Sequence, residues 1–521
     1  MPAPRRTTTR IRMSGVVAGV VLLAAACSGG GDDVPVDGEE GGGQGGGSGG
    51  GGTFVAAISA QPDQFDPHQT TAYASFQVLE NVYDTLVVPD PEDLTYEPSL
   101  ATEWETSEDG LTWTFTLRDD VTFHDGSEFD SADVVYTFRR IIDEELQNAY
   151  RFETVTDIAA PDATTVEFTL SEPTPNLLDH VGSYKGVAVL PEGAAEELDL
   201  ATEANGTGPF ELGGMSASGV TLTAFDDYWG EGPELDEVEF QFISEPTTAL
   251  TALETGEVDW TDNIPPQRVE ELSESDSVTV ESVPSVDYWY MATNFARPPF
   301  DQPEVREAIA LAVDREAIAD AAQFGLAAVN QTAIPEESFW HHDYAPYERD
   351  VDAARDLLAE AGVSDVTMGL MVTDEYPETV EVAQVIASNL EEIGITVDIQ
   401  TEQFSTWLDR QSAGDFDAFM LGWLGNLDPY GYYHSQHICE GENNYQGYCD
   451  EETDALLNDA ATEPDEDARK ELYNQAAERI VDANSYIYFY NPSVVQGWGT
   501  GVEGYELRAD RAINFETVTL S

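Results

Sequence analysis

The sequence predicts an α/β protein with more than one sheet and more than one lobe. Two observations carry that expectation. Strand-like runs alternate with amphipathic helical runs closed by glycine, as in "LDEVEFQFI", "TTALTALETG", "EVDW" and again in "VTMGLMV", "TVEVAQVIASNLEEIG", "ITVDIQ". Strand, helix, strand in that order implies right-handed crossovers and parallel pairing. In addition, about 470 residues follow a glycine-rich N-terminal stretch, well past the length at which a single core stops growing.

In chain order, Arg5, Arg6, Arg10 and Arg12 precede an apolar run from Val16 to Ala26 that is too short to span a bilayer and ends in small residues before Cys27. Residues 1–26 therefore read as a secretory signal. The small residues before Cys27 resemble the lipobox of bacterial lipoproteins, although Ala24 stands where leucine is usual and Leu23 lies one step further out. That resemblance implies lipid on Cys27, which becomes the mature N-terminus. Residues 27–52 then form a tether. From Ser28 to Gly52 it is so rich in Gly, Asp, Glu and Ser that it buries too little apolar surface to offset its ordering entropy. Such a coil reaches roughly 25 to 30 Å. The chain is expected outside the cytoplasm, held to the outer face of the cytoplasmic membrane by lipid alone.

The charge balance is extreme: 101 Asp plus Glu against 21 Lys plus Arg, a formal charge of −80, with Lys185 and Lys470 the only lysines. Nucleic acid and anionic lipid surfaces are excluded as partners, since both need a basic face. Apolar and aromatic content is that of an ordinary globular protein, so the acid reads as a surface property that salt screening would favour. With Cys27 lipidated, Cys439 and Cys449 remain as an even pair in an exported chain and are expected to form a disulfide.

Within the body, "LTWTFTLRDDVTFHDGSEF" alternates through Trp113, Phe115 and Leu117 and turns at Asp125-Gly126, a hairpin pattern. Ser131 is placed to cap a helix whose apolar face runs through Val134, Val135, Phe138 and Ile141. "PEVREAIALAVDREAIADAA", "VDAARDLLAEAG" and "DARKELYNQAAERIVDA" read as further helices, the last leading into the strand "SYIYFY".

The block "LATEWETSEDGLTWTFTLRDDVTFHDGSEFDSADVVYTFRRI" resembles the signature region of the family 5 solute-binding proteins, the peptide and nickel receptors of ABC importers. "GTGPFEL", "DDYWG", "TTALTALETGEVDW", "NFARPPFDQPEVREAIALAVDREAI", "ARDLLAEAG" and "NYQGYCDEETDALL" follow in the same order. The resemblance spans residues 53–521. It implies a periplasmic-binding-protein fold of type II, with two lobes joined by a hinge and an inserted third region. Lobe I would comprise 53–86, 207–286 and 496–521; the insert, lobe II, 87–206; and lobe III, 287–495. Hinge closure would bury a solute between the lobes. The implied partners are that solute, most simply a peptide, and the transmembrane subunits of an ABC permease. The receptor is expected to be a monomer without cofactor.

A peptide receptor has to satisfy backbone groups while leaving side-chain pockets wet. Aromatic and amide residues suit the task, and the candidates are Tyr73, then Tyr288, Trp289, Tyr290 and Asn294 of "DYWYMATN", then Trp423, Asn426, Asp428, Tyr430, Tyr432 and Tyr433 of "GWLGNLDPYGYYHSQH". The resemblance also sets a specific expectation. Dipeptide receptors of the family hold the ligand amine with an Asp three places after the loop Trp, and its carboxylate with an Arg in the strand-helix turn. Here those positions offer Asn426 and, in "MVTDEYPET", Asp374 and Glu375. A longer peptide, or an uncharged or cationic solute, is therefore expected instead of a free dipeptide zwitterion. Asp428 is the one residue that could recover an amine.

An enzyme is the contrasting class, as a secreted hydrolase, but the sequence carries no HExxH or P-loop pattern and no GxSxG elbow between a strand-like and a helix-like run. "GTGVEG" at Gly499–Gly504 fits GxGxxG without a following helix, and so is not a dinucleotide site. His434 and His437, three apart, raise a metal chelate as an alternative solute, with an oligosaccharide as another. Pro429 and Gly431 argue that this stretch is irregular, and no metal ligands are assigned.

Overall fold

The computed structural model describes residues 51–90, 94–182, 185–373 and 376–521. The signal segment, Cys27, nearly all of the tether, Asp374 and Glu375 lie outside the described residues. No helix among the described residues is long and apolar enough to cross a membrane.

Three larger sheets organise the described residues between 51 and 521. In the seven-stranded one, Thr53–Ile58 pairs in parallel with Glu237–Phe242 on one side and Trp260–Thr261 on the other. Side chains alternate across a strand, so Phe54, Ala56 and Ile58 enter one core cluster while Ala57 enters another. Helix Pro246–Thr255 joins the two outer strands, closed by Gly256 in the left-handed conformation at φ 70°. Those strands are parallel, as the pattern suggested. They do not pair with each other, because the N-terminal strand is inserted between them.

The six-stranded sheet runs Ala328–Val329, Ile487–Asn491, Tyr288–Thr293, Ala418–Trp423, Val366–Thr373, Ile395–Glu402. Its last two strands pair in parallel from Val366 opposite Ile395 to Thr373 opposite Glu402, joined by helix Pro377–Glu391. The third sheet is antiparallel, Ala101–Thr106, Thr112–Leu117, Thr165–Leu170, Val155–Asp162, and helix Ser131–Asp143 covers it through Val134, Phe138 and Ile141.

Three local expectations are corrected and one is narrowed. Asp130, not Ser131, caps that helix: its carboxylate accepts from Ala132 N at 2.7 Å while Asp133 accepts from Asp130 N at 2.8 Å, a capping box. At the Asp125-Gly126 turn the hairpin is short, one antiparallel bridge from Thr122 to Glu128 flanked by Phe123 N to Ser127 O at 2.9 Å and Phe129 N to Val121 O at 3.1 Å; strand Thr112–Leu117 stays outside it, paired on both edges by other strands. "PEVREAIALAVDREAIADAA" is two helices, Pro303–Ala312 and Arg315–Gln323; Asp314 is extended between them and accepts from Ala317 N at 3.0 Å. The stretch after Asp428 is a helix, Pro429–His437, since proline at its first position loses only an N–H that has no intrahelical partner.

Two crossings connect the first two sheets. One runs from strand Val278–Pro284 to Tyr288–Thr293, the other from Ile487–Asn491 to Ser493–Gly499. They lie side by side: Ser285 N donates to Pro492 O at 2.8 Å and Asn491 Nδ2 donates to Asp287 O at 2.8 Å. Cys439 and Cys449 are disulfide-bonded, with Cα atoms 4.5 Å apart.

Candidate binding cleft

Strand Ala418–Trp423 ends with Trp423 opposite Tyr288, beside the first crossing. The chain then turns through Gly425, whose N–H donates to Asp287 Oδ1 at 3.0 Å. A Cβ at Gly425 would fall 1.7 Å from Val286 O and 2.7 Å from the Tyr432 hydroxyl, so glycine alone fits there. Asn426 follows, and Asp428 ends the loop by accepting from Tyr430 N at 2.9 Å as the cap of helix Pro429–His437. The two Asp428 oxygens also take Arg469 Nη1 and Nη2 at 2.6 and 2.7 Å. Both residues are buried, so Asp428 is committed to a helix cap and a bidentate ion pair. In this conformation the oxygens of Asp428 are engaged within the protein and none is turned to a ligand amine.

Asn426 faces a cavity of about 80 Å³ built from three separate parts of the chain. Val286 and Asp510 come from the first crossing and the C-terminal tail; Arg151, Asp179 and Lys185 come from the segment around the third sheet. Its carboxylates are engaged by the protein's own donors. Asp510 accepts from Arg508 Nε and Nη2 at 3.1 and 2.8 Å and from Ala512 N at 3.0 Å. Burial acts to raise its pKa, but Arg508, the Ala512 N–H and the charge of Lys185 together hold it below the ordinary carboxylate value. Asp179 accepts from the Tyr96 hydroxyl at 2.9 Å and from Arg151 Nη1 at 3.4 Å. Lys185 Nζ donates to Asp510 O at 3.2 Å.

The remaining candidates divide. Tyr73 stands at the tail, its hydroxyl donating to Arg511 O at 3.1 Å. Tyr430 is half-buried and stacks on His434 at 4.4 Å. Tyr432 is buried beside the loop and donates to Val286 O at 2.7 Å. Tyr288, Tyr290 and Tyr433 are at most 2% exposed in one aromatic core, where Tyr290 stacks on Tyr486 at 3.8 Å, and they present no surface to a solute in this conformation. Trp289 points to the opposite face of the sheet and stacks on Tyr490. Asn294 spends its amide on Gly414 O and Phe416 O at 3.2 and 3.1 Å. Alternation along the strand separates Trp289 from its neighbours, and the apolar drive on both sheet faces draws the tyrosines inward.

His434 Nε2 is 3.2 Å from Asn458 Oδ1, and buried His437 lies between Ser485 Oγ at 2.9 Å and the Tyr488 hydroxyl at 3.2 Å. No cluster of three or more metal-ligating side chains occurs among the described residues. Sequence reasoning missed Arg151, Asp179, Lys185 and Asp510, which lie far from the loop along the chain. The signal that could have found one of them is the scarcity of lysine, since Lys185 is one of two in the chain.

Two sheets joined by paired crossings, with a polar cavity where a third region meets them, define a two-lobed binding protein. Residues 95–444 match the model of the bacterial extracellular solute-binding proteins, family 5, and the chain belongs to that family. It is 27% identical over 509 residues to the dipeptide-binding protein of Escherichia coli K12, covering 90% of this chain and 94% of that one. Among solved structures, HbpA2 from Haemophilus parasuis superposes with a TM-score of 0.84 at 25% identity, covering 90% of this chain and 100% of the other. The periplasmic binding protein DppA from Helicobacter pylori, in complex with the peptide STSA, superposes with a TM-score of 0.74 at 27% identity, covering 91% and 98%. The family comprises the extracytoplasmic substrate-binding proteins of transporters, not enzymes.

Proposed function

We propose that this chain captures peptides in the cleft around Asn426 and delivers them to the transmembrane subunits of an ABC importer, while lipid on Cys27 and the 27–52 tether hold it at the outer face of the membrane as a monomer. The observation that carries this reading is the cavity at Asn426, whose wall is shared by three stretches of chain that hinge motion would separate. In this reading lobe I comprises 53–86, 207–286 and 496–521, lobe II is 87–206 and lobe III is 287–495. The hinge is the pair of crossings at Ser285–Asp287 and Asn491–Pro492. The curated dipeptide-binding relative and the peptide complex of the Helicobacter pylori protein support a peptide over other solutes. A metal chelate gains no support from His434 and His437, whose rings are engaged within the protein. Incubation with a peptide library followed by mass spectrometry tests the reading. Intact peptides recovered with the protein are expected; cleaved fragments, or no retained peptide, would overturn it. For the anchor, Cys27→Ser is expected to leave the membrane fraction.

A further inference from the structure

Arg151 differs from the two arginines that pair with a buried aspartate, Arg469 and Arg140. Arg469 and Arg140 meet their carboxylates at 2.6 Å, within charge-assisted hydrogen-bond length, and each makes two such contacts to one aspartate. Arg151, with a side chain only 14% exposed, reaches Asp179 at 3.4 Å through one nitrogen, and its Nε reaches only the Tyr150 hydroxyl, also at 3.4 Å. A guanidinium has five N–H donors. Its Nη2 makes no hydrogen bond to the described residues, and the group borders the cavity beside Asn426.

The cavity's own acceptors do not answer that donor. Asp510 is occupied by Arg508 and Ala512, and Asp179 Oδ1 by Tyr96. A second cation, Lys185, borders the same space, and its charge acts on Asp510. In a chain with 101 acidic side chains and 21 Lys plus Arg, this small space brings an incompletely paired guanidinium and one of the two lysines together, beside Asp179 and Asp510 that the protein's own donors already engage. A carboxylate oxygen can accept from Arg151 Nη2, with Lys185 as a point charge and the Asn426 amide lining the same space.

We propose that this cavity is a carboxylate subsite, and that Arg151 and Lys185 bind the free C-terminal carboxylate of the captured solute. The proposal rests on the peptide reading above. It replaces the expectation that the site has no carboxylate anchor, which considered only the Trp423 loop and the "MVTDEYPET" turn. The anchor comes from the segment that carries the third sheet.

Calorimetry on the full chain tests it, using di- to pentapeptides each prepared as free acid and as C-terminal amide, with wild type, Arg151→Gln and Lys185→Gln. The free acid is expected to bind wild type at least tenfold more tightly than the amide, and the ratio to fall toward one in both variants. Melting curves establish that each variant is folded, and Lys185→Gln, at a partly exposed position, serves if Arg151→Gln is not. Equal affinity for acid and amide in wild type overturns the subsite and leaves peptide capture standing. Failure to bind any peptide in either form overturns peptide capture; propionate then decides the subsite by itself. A melting-temperature rise in wild type that is lost in the variants supports it, and no rise overturns it.

Discussion

Arg511 Nη2 lies 2.7 Å from Asp287 Oδ2, joining the C-terminal tail to the first crossing between the two large sheets. The other oxygen of the same carboxylate receives the Gly425 N–H. Asp287 therefore couples the tail, the crossing and the loop that carries Asn426. Asp287→Asn keeps an acceptor for Gly425 and loses the ion pair, whereas Asp287→Ala loses both. One hydrogen bond contributes about 0.5 to 1.5 kcal/mol, or roughly 2- to 13-fold in affinity, so the alanine variant is expected to bind a captured peptide that much more weakly than the asparagine variant. Equal losses in titration calorimetry would show that Gly425 is held by something other than Asp287.

The Asp428–Arg469 pair is a structural brace. Both side chains are under one-tenth exposed, and Arg469→Met leaves Asp428 buried without its counter-charge. Breaking a buried pair from one side costs about 3 to 5 kcal/mol. Urea unfolding should register that loss, and Asp428→Asn combined with Arg469→Met should recover part of it. A single-variant loss below about 1 kcal/mol would mean that water reaches the carboxylate.

His437 should contribute to the acid sensitivity of the fold, together with His68, His124 and His180, whose pKa values burial also lowers. Burial lowers the His437 pKa to about 3, so it is neutral in the native state, while an unfolded histidine titrates at the ordinary value of 6.5. The folded pKa is the depressed one for a base. Its contribution is therefore complete above pH 6.5 and is lost progressively as pH falls from 6.5 toward 3, with a slope of up to about 1.4 kcal/mol per pH unit. His437→Gln should flatten the decline of stability over that window. If the wild-type and variant profiles run parallel, His437 does not carry the dependence.

Salt should stabilise the protein. A formal charge of −80 repels itself, and the screening length falls from about 10 Å at 0.1 M to about 3 Å at 1 M salt. Melting temperature is expected to climb across that range of NaCl concentration, in wild type and in Arg469→Met alike. A flat profile would remove self-repulsion as the meaning of the composition.

Signals that act over a few residues were legible in the chain. Gly256 ends its helix as read, and Val366–Thr373 with Ile395–Glu402 forms the parallel pair that the pattern implied. The resemblance that assigned the family rested on blocks spread through the chain, each readable in place. Errors arose where two local signals competed within a residue or two, as with Asp130 against Ser131, or where proline served as a helix start at Pro429.

The cleft was only half legible, and the reason is physical. Alternation, capping and turn chemistry are written between neighbours, so a reader of the chain can find the elements and the aromatic loop. Whether Tyr290 faces solute or core depends on what packs over it, and there it meets Tyr486, almost two hundred residues later. Asp428 looked like an available carboxylate until folding brought Arg469 to it. Arg151, Lys185 and Asp510 share one cavity through contacts that no local pattern encodes, because burial and electrostatic pairing depend on distance in space, and only the folded chain sets that distance.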